Sequence, residues 1–143
     1  MVPSATESEA DLSELTNGNV VRAFGGEHVQ RLTALSAGQL RYWDATGFFE
    51  PKWAYENRRS PHSRIYSFKD VVGLRVLSVL RRDHKVSLPH LREVASILST
   101  YSDTPWADTV LYVLNKQVYF KEPETGRLRG VTTNQYVALP LLS

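Results

Sequence analysis

Ser36 and Gln39 stand three apart at the head of a stretch that ends at Gly47, and this punctuation commits residues 36–47 to a short capped helix. In the S-x-x-Q pattern the hydroxyl accepts a free N–H of the first turn, and the amide side chain reaches back to the cap residue. A glycine after the last helical residue supplies the left-handed stop. Immediately upstream, Val29, Leu32 and Leu35 recur at helical spacing, so Glu27 to Ala34 reads as a second short helix. Two short helices across a tight turn make a helix-turn-helix unit.

The 143 residues suffice for one core with appendages. No apolar run approaches the roughly 18 residues of a membrane span, and no basic stretch followed by an apolar one opens the chain, so a cytoplasmic location is expected. The absence of cysteine excludes a disulfide framework, a thiolate metal site, a cysteine nucleophile and thiol-based sensing. The net charge of +2 is unevenly spread. Residues 1–18 carry Glu7, Glu9, Asp11 and Glu14 without Lys or Arg, whereas nine basic residues from Arg58 to Arg92 meet only Asp70 and Asp83. Such an excess suits a polyphosphate partner, because neutralised phosphates release counterions. A solvated helix face looks similar.

Residues 1–22 hold few large apolar groups and read as an arm that cannot offset the entropy of ordering. Phe48, Phe49 and Pro51 close the helical pair. Residues 52–63 read as a polar loop and Arg64–Tyr66 as a short strand, which together suit a β-hairpin wing. Ser67 caps a helix with Asp70 in its first turn and Phe68, Val71, Val72, Val76, Val79 and Leu80 as its apolar stripe. Ser87 caps another, with Pro89 in its first turn and Leu88, Leu91, Ala95 and Leu98 along one side. Pro105 to about Leu114 is predicted as one more helix. Val118–Phe120 and Leu128–Val131 are predicted strands around the turn residues Pro123–Gly126.

Leu40–Pro51 reads LRYWDATGFFEP, which resembles the MerR family's Leu-Arg-Tyr-Tyr, an acidic residue, then Gly-Leu-Leu and a proline. SRIYSFKDVVGLRVLSVLR resembles that family's Tyr-Arg-x-Tyr wing strand and following helix, and HKVSLPHLREVASIL its Gly-Phe-Ser-Leu-x-x-Ile helix. The resemblance covers about Phe24 to Leu98. It implies a mainly α fold: a MerR-like winged helix-turn-helix over 23–100, followed over 101–143 by a short helix and β-hairpin. It also implies a transcriptional regulator with no enzymatic activity, whose second helix reads the major groove of double-stranded DNA while the wing reaches adjacent backbone or minor groove.

By the same resemblance Arg41 and Tyr42 clamp phosphates and Arg64 is the wing arginine. A guanidinium fork binds phosphate oxygens bidentately and a phenol adds one hydrogen bond, positioning a protein without reading sequence. Ala37 and Gly38 stand where many members carry longer polar side chains, so Gln39 is the remaining base reader, in competition with its capping role. Specificity is then expected from the wing, from Arg58, Arg59 and His62, and from DNA shape; Ser36, Lys52 and Tyr66 complete the DNA-binding set. Trp43 is expected in the core. Arg81, Arg82 and Lys85 read as solvated charges. His84 and His90 lack acidic or thiol neighbours in sequence, so neither a metal nor another cofactor is expected. Asp103 and Asp108 read as turn and helix-start residues rather than catalytic carboxylates.

MerR dimers pair through a long C-terminal helix, and no heptad run follows Leu98. VLYVLNKQVYFKEPETGRL resembles instead the tail of antitoxins from VapBC-type toxin–antitoxin systems, in which a MerR-like module precedes a short C-terminal domain. Tyr112, Val118, Phe120, Tyr136, Leu139 and Leu142 are therefore expected to supply a homodimer or partner contact. Two readings stand: a dimeric regulator on an inverted repeat, located in the bacterial cytoplasm and nucleoid-associated when bound; or an antitoxin that binds a toxin protein and autoregulates its operon. The terminal LPLLS suggests a truncated chain.

Overall fold

A computed structural model describes residues 20–54, 64–133 and 135–137. Its elements in chain order are β1 (Phe24–Gly25), α1 (Gly26–Thr33), α2 (Ala37–Thr46), β2 (Trp53–Ala54), β3 (Arg64–Tyr66), α3 (Phe68–Arg82), α4 (Leu88–Leu98), α5 (Pro105–Asp108), β4 (Leu111–Leu114), β5 (Gln117–Lys121) and β6 (Leu128–Gly130). Close contacts group the chain into two units whose boundary, Arg75 to Val76, falls inside α3.

In the first unit α1 ends at Ala34, a left-handed residue at φ 63° whose N–H bonds the Gln30 carbonyl. The turn is then only Ala34 and Leu35 before Ser36 caps α2, and burial of Leu35 pins it. β1, β3 and β2 form an antiparallel sheet with Phe24 opposite Tyr66 and Trp53 opposite Ile65. The two-residue strands β1 and β2 are too short to carry a period in sequence, and appear only because β3 templates both. Phe24, Val29, Leu35, Leu40, Trp43, Tyr66, Val71 and Leu74 form the core. Arg75 donates to the Leu32 carbonyl at 2.7 Å, satisfying one of the bare acceptors at the end of α1.

In the second unit Leu77, Leu80, Val86, Leu91, Val94, Leu98, Trp106, Val118, Phe120 and Val131 are buried. Ser87 caps α4 through the His90 N–H, as expected, and Pro89 lies in the first turn. The His90 ring in turn accepts the N–H of Val118 at 3.2 Å through Nε2, tying α4 to β5. The helix predicted over Pro105–Leu114 is corrected: it stops at Asp108, Thr109 is extended, and Leu111–Leu114 is a strand. A turn of Asn115 and Lys116, with φ 52° and 62°, folds β4 onto β5. Two successive positive φ values match the right-handed twist of a two-residue hairpin, and asparagine tolerates the first of them cheaply. β6 then pairs with β5 in the order β4-β5-β6.

Candidate nucleic-acid interface

α2 begins with a reciprocal cap. Gln39 N donates to Ser36 Oγ at 3.0 Å, and Ser36 N donates to Gln39 Oε1 at 2.9 Å. The helix closes at Gly47, φ 75°, with the Phe49 N–H returning to the Trp43 carbonyl. Between these stops Leu40 and Trp43, one turn apart, are buried, and the Trp43 ring meets Phe48 edge-on at 5.2 Å. Burial of that stripe turns the opposite one outward: Gly38, Arg41, Tyr42 and Ala45 are all exposed, Tyr42 by 55%. A Cβ built on Gly38 would lie 3.9 Å from Arg41 Nη2, so the guanidinium lies back over a residue with no side chain to cover it. Among the described residues no carboxylate pairs with Arg41.

Arg64 is placed differently from the free wing arginine expected of it. Its Nε donates to Asp44 Oδ2 at 2.7 Å, and the two side chains are only 15% and 8% exposed. This pair ties the last turn of α2 to β3. Tyr66 is corrected outright as a DNA contact: it is 1% exposed, and its buried hydroxyl has no hydrogen-bond partner among the described residues. Burial pushes its phenol up to about 12; the Arg64 cation opposes that rise, and the Asp44 and Asp70 charges add to it. A residue opposite Phe24 on the inward side of β3 has no route to a phosphate.

Lys52 is exposed, with Nζ 5.2 Å above the half-exposed Trp53 ring. Its backbone is fixed from below, since Asp70 Oδ2 accepts both the Lys52 and Ser67 N–H groups, at 2.9 and 3.0 Å. Asp70 N in turn donates to Ser67 Oγ at 3.0 Å. Sequence reading assigned Asp70 to the helix dipole; its second role, across eighteen residues, has no local signature. Asp44 and Trp53 were missed for the same reason. Arg58, Arg59 and His62 lie outside the described residues, as do Leu139 and Leu142.

Burial raises the Asp70 carboxyl above its ordinary range, against the lowering effect of the Ser67 and Lys52 N–H groups. The folded state therefore holds the Asp70 proton more tightly than the unfolded chain does. Its contribution favours folding most below the ordinary aspartate value, and is lost as pH rises through the folded value. Asp70→Asn keeps an acceptor and removes the buried charge, so wild type should gain stability relative to this variant as pH falls from 7 toward 4. Asp70→Ala strands two donors and should lower the unfolding free energy by about 2 kcal/mol. Urea titrations of both variants at several pH values test this; an Ala variant no less stable than Asn contradicts it.

Of the expected tail contacts, Tyr112 and Tyr136 are exposed, while Val118 and Phe120 are 1% exposed and point into the core of the second unit. They are corrected accordingly: the alternation along β5 sends both to the side away from Gln117, Tyr119 and Lys121. Tyr136 lies beneath the Arg127 guanidinium at 3.8 Å.

The sequence model of MerR HTH family regulatory proteins matches residues 26–97, half of the chain. The chain belongs to the MerR family. The matched span opens at α1 and ends one residue before the last of α4, so it contains the capped helix and its exposed Arg41–Tyr42 edge. MerR-family regulators bind DNA through a helix-turn-helix and control transcription, and the matched span takes in α1 and α2. No curated protein and no solved structure matches the chain. Among the described residues no helix is long and apolar enough to cross a membrane.

Proposed function

We propose that this MerR-family chain binds double-stranded DNA as a homodimer on an inverted repeat, with α2 in the major groove. The exposed stripe Gly38, Arg41, Tyr42 and Ala45 carries the reading, because its polar members stand on a helix whose other side is anchored by Leu40 and Trp43. The β2–β3 pair serves as the wing beside it, and the residues between its strands include Arg58, Arg59 and His62. Arg64 acts through Asp44, holding wing and helix in one geometry, and Lys52 supplies a phosphate contact. Residues 23–100 constitute the DNA-binding part, and residues 101–143 the part that meets a second protein.

Base recognition by α2 is sparse. Gln39 Oε1 is committed to the cap, and an adenine contact needs oxygen and nitrogen of the amide together. Discrimination falls to the wing and to DNA deformability. Selection from a random duplex pool at about 0.15 M salt should enrich an inverted repeat with half-sites about one helical turn apart. Retention of the pool without enrichment would contradict the reading.

Exposure of Tyr112 and Tyr136 supports a second reading, in which the tail holds a toxin protein and the chain represses its own operon in the bacterial cytoplasm. A nuclease that co-purifies with the chain and loses activity on binding would select it.

A further inference from the structure

β4 is an edge strand: among the described residues nothing pairs with its outer side. The direction of its free hydrogen-bonding groups follows from its neighbour. Val118 donates its N–H to His90 and accepts from Val131 N, so its backbone faces away from β4. Val113 opposite Val118 is then a non-hydrogen-bonded position, and its own N–H and C=O point outward. By alternation Leu111 does the same, while Tyr112 and Leu114 bond inward to Tyr119 and Gln117.

The side chains alternate in step. Val110, Tyr112 and Leu114 are 64%, 41% and 52% exposed on one face. Natural edges are guarded by lysine, proline or a bulge against pairing with another strand. Residues 110–114 contain none of these and no charge. Antiparallel pairing of this edge with itself has one register that uses every outward group: Leu111 faces Val113 of the second copy, and Val113 faces its Leu111. That register sets Tyr112 against Tyr112 of the second copy and Val110 against its Leu114. All the exposed apolar groups of the stripe meet apolar partners. It also leaves Lys116 of each copy beyond the apolar stripe, so no like charges are brought together along the paired segment.

We infer that β4 pairs with β4 of a second copy of this chain about a two-fold axis at Tyr112, joining two three-stranded sheets into one. The inference deepens the proposed homodimer and rests on that reading. It supplies a contact beyond α4, where among the described residues the longest helix is the four-residue α5.

Self-opposition at position 112 gives a direct test. Wild-type full chain should sediment at twice its 16.2 kDa. Tyr112→Glu and Tyr112→Lys should each weaken self-association at least tenfold, since like charges meet at the axis, and their equimolar mixture should restore the dimer. Both variants should keep the wild-type circular dichroism; if either unfolds, Leu114→Glu with Val110→Lys takes its place in the same mixing design. A monomeric wild type, variants that stay dimeric, a mixture that does not recover, or dimerisation only with a protein of different sequence would each overturn the pairing. Binding to a duplex with one half-site separates the two claims. Its loss in wild type counts against the α2 reading and leaves the sedimentation result standing, whereas half-site binding by a monomeric wild type overturns the pairing alone.

Discussion

Arg41→Ala should weaken binding to every duplex, cognate or not, by roughly tenfold or more per protomer, the worth of a charge-assisted hydrogen bond of about 1.5–3 kcal/mol. The slope of log affinity against log salt should fall by about one ion per protomer, because one phosphate neutralisation is lost. Arg41 is exposed, and alanine is the better helix former, so the fold should keep its melting temperature. Fluorescence anisotropy over a salt series reads both quantities. A reduced affinity with an unchanged slope would mean that Arg41 touches something other than phosphate, and the α2 assignment would lose its principal support. Tyr42→Phe is a milder companion: it removes one hydroxyl donor and leaves the slope as it was.

Trp43→Ala carries the largest expected effect on stability. The ring is 2% exposed and meets Phe48 edge-on, so truncation leaves a cavity under the helix and should cost about 3–5 kcal/mol. Whole domains of this size hold only about 5–15 kcal/mol, so the variant should lose much of its cooperative melting transition. Trp43→Phe fills most of that space and should cost far less. Calorimetry distinguishes the pair; an alanine variant that melts as wild type does would mean that α2 is not anchored through this residue. Lost DNA binding in Trp43→Ala would follow from a loosened helix, whereas in Arg41→Ala it would occur on an intact one.

The features readable in sequence were those fixed within a turn or two. The Ser36–Gln39 cap, the Gly47 stop, the Ser87 cap with Pro89 and the inward Trp43 depend on neighbours three or four residues away, and each lies where local rules place it. Arg64 depends on Asp44, twenty residues distant, and a basic residue destined for an ion pair is written no differently from one destined for phosphate. Tyr66 could not be told from a surface tyrosine because β1, which covers it, is only two residues long. In residues 105–114 the apolar spacing fits a helix as well as a strand. The arbiter was the Asn115–Lys116 turn, whose asparagine was the available clue, with lysine where glycine gives the stronger signal. Val118 and Phe120 were assigned to the surface because the tail looked too apolar for its size. Together with Trp106 and Val131 they instead complete the core of the second unit.

A chain without cysteine allows a single thiol to report on the helix face itself. Ala45→Cys places one on the exposed stripe with Arg41 and Tyr42, and Ser96→Cys places one on the exposed side of α4. Saturating duplex should slow maleimide labelling of the first by an order of magnitude or more and leave the second unchanged. Equal labelling rates at Ala45→Cys with and without bound duplex would contradict the placement of α2 against DNA.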